Sequence, residues 1–125
     1  MEKISKSVSK RSNCPIATTL DVIGDKWSLL IIRDIALFDK HKNKEFQEAG
    51  ENIPTNILAN RLKLLVDVGI IEKHPYQNNP LRYEYVLTHA GRNLVPVLQS
   101  IAVWAEENIE GIVMPDTSAI AGRGL

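Results

Sequence analysis

The chain has one cysteine, no long apolar run and no net charge, and each shortage removes a class of function. Cys14 has no partner for an internal disulfide, which fits a reducing, cytoplasmic setting. The longest apolar stretch lies around "LLII", far short of the ~20 residues that cross a bilayer, so no membrane is expected as a partner. The N-terminus is polar and basic with no hydrophobic stretch behind it, which argues against a secretory signal. Fifteen basic side chains balance fifteen acidic ones, so no global field draws in nucleic acid. Any such affinity must come from where the charges stand. His41, His74 and His89 are not spaced with one another, or with cysteine or carboxylate, as metal ligands are. No Ser/His/Asp, paired-carboxylate or glycine-rich phosphate motif is present, so neither an enzyme nor a cofactor is expected. Internal repeats and low-complexity segments are also missing.

What is present is unevenly sorted. Lys3, Lys6, Lys10 and Arg11 face only Glu2 in the first eleven residues, whereas Glu106, Glu107, Glu110 and Asp116 load the other end. At 125 residues the chain is one domain with a sizeable core. Residues 1–12 read as a flexible basic arm, 13–112 as the folded domain and 113–125 as a flexible tail.

The segment "NIPTNILANRLKLLVDVGII" has apolar residues at Ile53, Ile57, Leu58, Leu62, Leu65 and Val66, which is helical spacing. Pro54 near its first turn and Gly69 after it mark the ends. The opposite face carries Thr55, Asn56, Asn60, Arg61 and Lys63, with no carboxylate until Asp67. Amides and hydroxyls exchange hydrogen bonds with base edges, cations meet phosphates, and carboxylates would repel them. A solvated face that happens to lack acids is the plain alternative.

The surroundings favour the first reading. Pro15 opens a short helix over Ile16–Ile23, ended by Gly24, and Asp25 caps "KWSLLIIRDIALF". "DKHKNKE" is a loop by composition, and "FQEAGENI" suits a short helix broken at Gly50. "IIEKHPY" and "RYEYVLT" alternate around the turn formers "QNNP", giving a β-hairpin whose first strand Pro75 weakens. Arg82 beside that turn suits a wing entering a minor groove. Lys73 and His74 suit neighbouring phosphates, with Glu72 and Glu84 working against them. Thr88 caps a last long helix to about Ile109, kinked at Pro96. The expected core is Leu20, Trp27, Leu30, Ile31, Leu58, Leu62 and Leu65. The last helix, with Leu98, Ile101 and Trp104 on its stripe, has more apolar surface than that core can use, so it is expected to dimerise. The order of elements is mainly α with a small β-hairpin: a winged helix-turn-helix.

Cys14-Pro15, Gly24, Lys26-Trp27, Arg33, Arg61-Leu62, Pro80, Tyr85, Leu87-Thr88 and Gly91, in that order, resemble the HxlR-type winged helix-turn-helix transcriptional regulators of bacteria. The likeness runs from about Cys14 to Trp104. It implies homodimers whose N- and C-terminal helices form the interface, a recognition helix starting at Thr55, and "QNNPLR" as wing tip. Two positions depart from the family, which often has serine at Pro54 and threonine at Ala59; both lie near the expected DNA. The resemblance also implies that Cys14 matches a cysteine that senses quinones, aldehydes or other electrophiles in several members. Arg11, the helix start at Pro15, and Lys10 and Lys26 all favour the reactive thiolate. A small buried residue at the dimer contact is the other reading of Cys14.

The expected function is therefore a sequence-specific, DNA-binding homodimer on a palindromic operator. The alternative is a winged-helix protein-interaction adaptor that binds no DNA.

Overall fold

A computed structural model of the chain describes residue 4 and residues 12–113; the expected arm and tail lie almost wholly outside those residues. The helix α1 (Pro15–Ile23) starts at a proline whose missing N–H is not needed there, and Gly24 caps its end by donating its N–H to the Leu20 carbonyl. Expected as core, Leu20 is instead 55% exposed, as is Ile16 at 72%; α1 turns only Ile23 fully inward. The apolar stripe is real, but spacing alone does not say which surface it faces.

α2 (Ser28–Phe38) begins two residues later than the apolar pattern suggested. Asp25 nevertheless caps it, accepting the N–H groups of Trp27 and Ser28 at 3.0 Å each. Ile31, Ile32, Ile35 and Ala36 are buried, which makes α2 the central helix. Trp27 and Leu30 from the expected core are only half-buried.

α3 (Asn43–Gln47) starts three residues earlier than expected, inside the segment read as loop. Glu45 explains the shift: its Oε1 accepts the N–H groups of His41 (2.8 Å) and Lys42 (3.0 Å), tying down the first turn. Phe46 then plugs the core at 1% exposure. α4 (Thr55–Asp67) has the expected boundaries, with Gly69 left-handed after it (φ 87°). Leu58, Leu62 and Leu65 are buried against α2, α3 and the hairpin. Burying each contributes about 1.5–3 kcal/mol.

β1 (Ile71–Asn78) and β2 (Leu81–Leu87) pair antiparallel, in register from Ile71–Leu87 to Pro75–Tyr83. Tyr76 is then set out of the ladder, and pairing resumes with Gln77 opposite Arg82. The weakening expected at Pro75 is this bulge. His41, in the loop before α3, accepts the Tyr85 N–H at 2.8 Å and so holds the outer side of β2.

The single kinked helix expected at the C-terminus is two helices, α5 (His89–Arg92) and α6 (Val95–Asn108). Pro96 falls in the first turn of α6, where a missing N–H leaves no bond unmade, so the chain restarts a helix instead of bending one. Thr88 is the N-cap of α5 as expected. Its hydroxyl also reaches the Gly69 and Ile70 carbonyls at 2.6 and 2.9 Å. Gly91 lies so close to the residue just before β1 that a Cβ there would stand 2.3 Å from the Ile70 carbonyl oxygen. α6 returns across α2, with Val95 buried and Leu94 and Leu98 packed at the core's margin.

Candidate nucleic-acid interface

α3, the turn over residues 48–54 and α4 form the helix-turn-helix unit. The turn is built by Ala49 and Asn52 donating to the Phe46 and Ala49 carbonyls, and Asn52, not Gly50, takes the left-handed conformation (φ 55°). A guanidinium fork locks it to α2. Arg33 donates to both carboxylate oxygens of Glu51 at 2.7 and 3.0 Å, and through Nε and Nη2 to Asp34 Oδ1 at 3.0 and 2.8 Å. Those carboxylates, Glu51's first, raise the Arg33 pKa despite its partial burial. The same bonds hold Glu51 below the usual carboxylate range, while burial pushes Asp34 up. The entry angle of α4 is thus fixed by an ion cluster that no local motif announces.

α4 shows solvent the residues read from its sequence. Thr55, Asn56, Asn60 and Lys63 are exposed, and the first turn holds no acidic residue. Arg61 is different: its side chain is 23% exposed, and it is held from two sides. Asn60 Oδ1 accepts from Nε at 3.2 Å and from Nη2 at 2.7 Å, and Asp25 Oδ1 lies 3.4 Å from Nη1. The expectation of a face free of carboxylate as far as Asp67 is therefore corrected. Folding brings Asp25 to it from the start of α2. Burial opposes charge on Asp25, but the hydrogen bonds from Ser28 and Trp27 and the Arg61 charge outweigh it and lower the pKa.

Arg82 is exposed beside the wing turn, next to Leu81, also exposed. The other cations of the hairpin are engaged within the fold. Lys73 Nζ stands 4.6 Å from the centre of the Tyr83 ring, and His74 Nε2 is 3.1 Å from Glu72. The bulge turns Tyr76 toward Lys42, whose ammonium lies 4.4 Å from the ring centre.

On the remaining surface, Ile101 and Trp104 of α6 are 47% and 59% exposed, whereas Leu98 is half-buried at the core's margin. Cys14 is an exposed free thiol in the N-cap position of α1, its carbonyl accepting the Thr18 N–H at 2.9 Å. Lys26 stands over the Trp27 ring at 5.0 Å; Lys10 and Arg11 lie outside the described residues.

A helix-turn-helix followed by a two-stranded wing is a winged helix-turn-helix. The HxlR-like helix-turn-helix family matches residues 22–112, and the chain belongs to this family of transcriptional regulators. It is similar to the uncharacterized HTH-type transcriptional regulator Rv3095 of Mycobacterium tuberculosis, at 36% identity over 94 residues. That match covers 74% of this chain and 57% of the relative, so the chain spans little more than half of that relative's length. Among solved structures, PA1607 superposes with a TM-score of 0.70 at 41% identity, covering 86% of this chain and 72% of that one. The redox regulator HypR in its oxidized form gives 0.66 at 33% identity, covering 78% of this chain and 99% of that one. Among the described residues, no helix is long and apolar enough to cross a membrane.

Proposed function

We propose that the protein is a homodimeric, sequence-specific DNA-binding regulator that acts on a palindromic operator through residues 13–112. The observation that carries this reading is the exposed face of α4. Thr55, Asn56, Asn60 and Lys63 stand in solvent at the start of the second helix of a helix-turn-helix, where such helices meet base edges in the major groove. Arg61 joins them as a held guanidinium, and Arg82 at the wing turn reaches a neighbouring minor groove. Exposed apolar residues on α1 (Ile16, Leu20) and α6 (Ile101, Trp104) support pairing of two copies through those helices, with Leu98 at the edge of the contact. Neither nucleotide chemistry nor catalysis is part of the reading.

The signal proposed is oxidation or electrophile addition at Cys14. Its exposure at the start of α1 and the likeness to HypR, a redox regulator, support that role.

Retention on random duplex and selection from a random pool test the reading together. A DNA reader binds with an affinity that falls steeply as salt rises, and selects a palindrome whose half-sites lie one helical turn, ~34 Å, or a multiple of it apart. An adaptor shows no salt-dependent duplex binding and selects nothing.

A further inference from the structure

We propose that Asp25 is a specificity-determining residue for duplex binding: pairing with its carboxylate reserves Arg61 for a neutral base edge with two acceptors, at the expense of anionic phosphates. The inference rests on the reading of α4 as the DNA-facing helix.

Asp25 cannot swing away from Arg61. Its Oδ2 accepts two backbone N–H groups at the start of α2, and its Oδ1 accepts the Ser28 hydroxyl while lying 3.4 Å from Arg61 Nη1. A guanidinium has five N–H groups. Among the described residues Asn60 takes one from Nε and one from Nη2, while Asp25 stands 3.4 Å from Nη1 as an ion partner. One N–H on Nη2 and both on Nη1 are left without a hydrogen-bond acceptor there, enough for a two-point contact across the terminal nitrogens. A lone phosphate approaching there meets a cation that is already compensated and a carboxylate that repels it. A guanine edge, with O6 and N7 side by side, carries no net charge for the carboxylate to repel and still accepts from both terminal nitrogens. Asp25 thus weakens generic attraction more than it weakens the two-point contact.

Capping does not require the charge, because asparagine and serine cap a helix about as well as aspartate. That makes the test clean. Asp25→Asn and Asp25→Ser keep the cap and remove the carboxylate. Anisotropy titrations then compare a random-sequence duplex with the duplex that the wild type selects from a random pool, each over a range of salt. Both variants are expected to bind the random duplex about three- to fivefold more tightly at low salt. The slope of log K against log salt becomes steeper by roughly 0.9, since one more phosphate is neutralised. The selected duplex gains less, so the ratio of selected to random affinity falls. In an Arg61→Ala background, Asp25→Asn leaves the slope unchanged. Wild-type slope and ratio in both variants would overturn the proposal, as would a slope change that persists without Arg61. A wild type that binds no duplex in a salt-dependent way removes the reading of α4 itself, an outcome distinct from a wild type that binds while its Asp25 variants match it.

Discussion

His41 engages both main-chain polar groups of Tyr85: its carbonyl accepts the Tyr85 N–H at 2.8 Å, and its ring Nδ1 lies 2.8 Å from the Tyr85 carbonyl oxygen. The other ring nitrogen, Nε2, lies 2.7 Å from Asp39 Oδ1. Both ring partners are acceptors, so both contacts are hydrogen bonds only when the imidazole carries two protons. Burial opposes the charge, but the Tyr85 carbonyl and the Asp39 and Glu45 carboxylates prevail and raise the His41 pKa above 6.5. Lys42, on the same loop, faces Glu45. A group whose folded pKa is raised gives its full stabilisation below the unfolded value and loses it as pH rises through the folded value. The bond between the wing and the α3 loop is therefore expected to weaken on the alkaline side of pH ~6.5. Denaturation midpoints of the wild type should fall across that range more than those of His41→Gln, and equal slopes would remove His41 as the titrating group.

Arg33 and Asp34 form a second pairing with an expected cost. Replacing Arg33 by methionine leaves the Asp34 carboxyl, 3% exposed, without its guanidinium, and should destabilise the fold by about 3–5 kcal/mol. Glu51→Gln, at the exposed end of the cluster, should cost no more than about 1 kcal/mol. Adding Asp34→Asn to Arg33→Met should recover part of the loss. Urea denaturation of the four proteins tests this, and no recovery would mean that Arg33 acts by packing.

At Gly91 the expectation concerns space. Alanine there brings a Cβ to 2.3 Å from the Ile70 carbonyl oxygen, so α5 must move off the backbone before β1, at a cost of about 1–3 kcal/mol. Thermal unfolding of Gly91→Ala should show a clear drop, while Gly50→Ala, where a Cβ meets nothing within 4 Å, should show little.

Trp104→Glu places a charge on a residue that is 59% exposed in the single chain. If two copies meet through α6, the variant sediments as a monomer with a near-wild-type denaturation curve. A wild type that is monomeric at micromolar concentration ends the dimer proposal and the palindrome with it.

For Cys14, operator binding is titrated with diamide or a quinone in the wild type and in Cys14→Ser. Modification beside α1 is expected to lower affinity for the full palindrome more than for a half-site, because only the palindrome needs two reading helices in fixed register. Matching responses in the two proteins would make Cys14 a packing residue.

Long, strongly periodic elements were legible in the sequence, and contacts between distant residues were not. Leu58, Leu62 and Leu65 at helical spacing located α4 with its boundaries, and "QNNP" located the turn of the hairpin. The start of α3 escaped because five residues are too few to show a period and its first turn is held by a Glu45 carboxylate, not by a common capping residue. Pro96 was legible as a break, but whether a proline bends a helix or begins one depends on the turn in which it falls. Within the candidate site, the exposed amides of α4 came from spacing alone. The Asp25–Arg61 and Arg33–Glu51 pairs bridge 36 and 18 positions, by subtraction of their numbers, and nothing local signals them. Asp25 was read correctly as a cap, yet its second partner comes from another helix.

The bulge at Tyr76 has a further effect, on the edges of the sheet. A two-stranded hairpin exposes two rows of main-chain donors and acceptors, each a template for a strand from another molecule. Here Pro75 lacks an N–H, Tyr76 is displaced from the ladder beside it, and the far edge at Tyr85 is occupied by His41. Each row is thus interrupted, which shortens the template it offers. The hairpin is thereby hindered from joining another molecule edge to edge, and it offers its neighbours side chains instead of backbone.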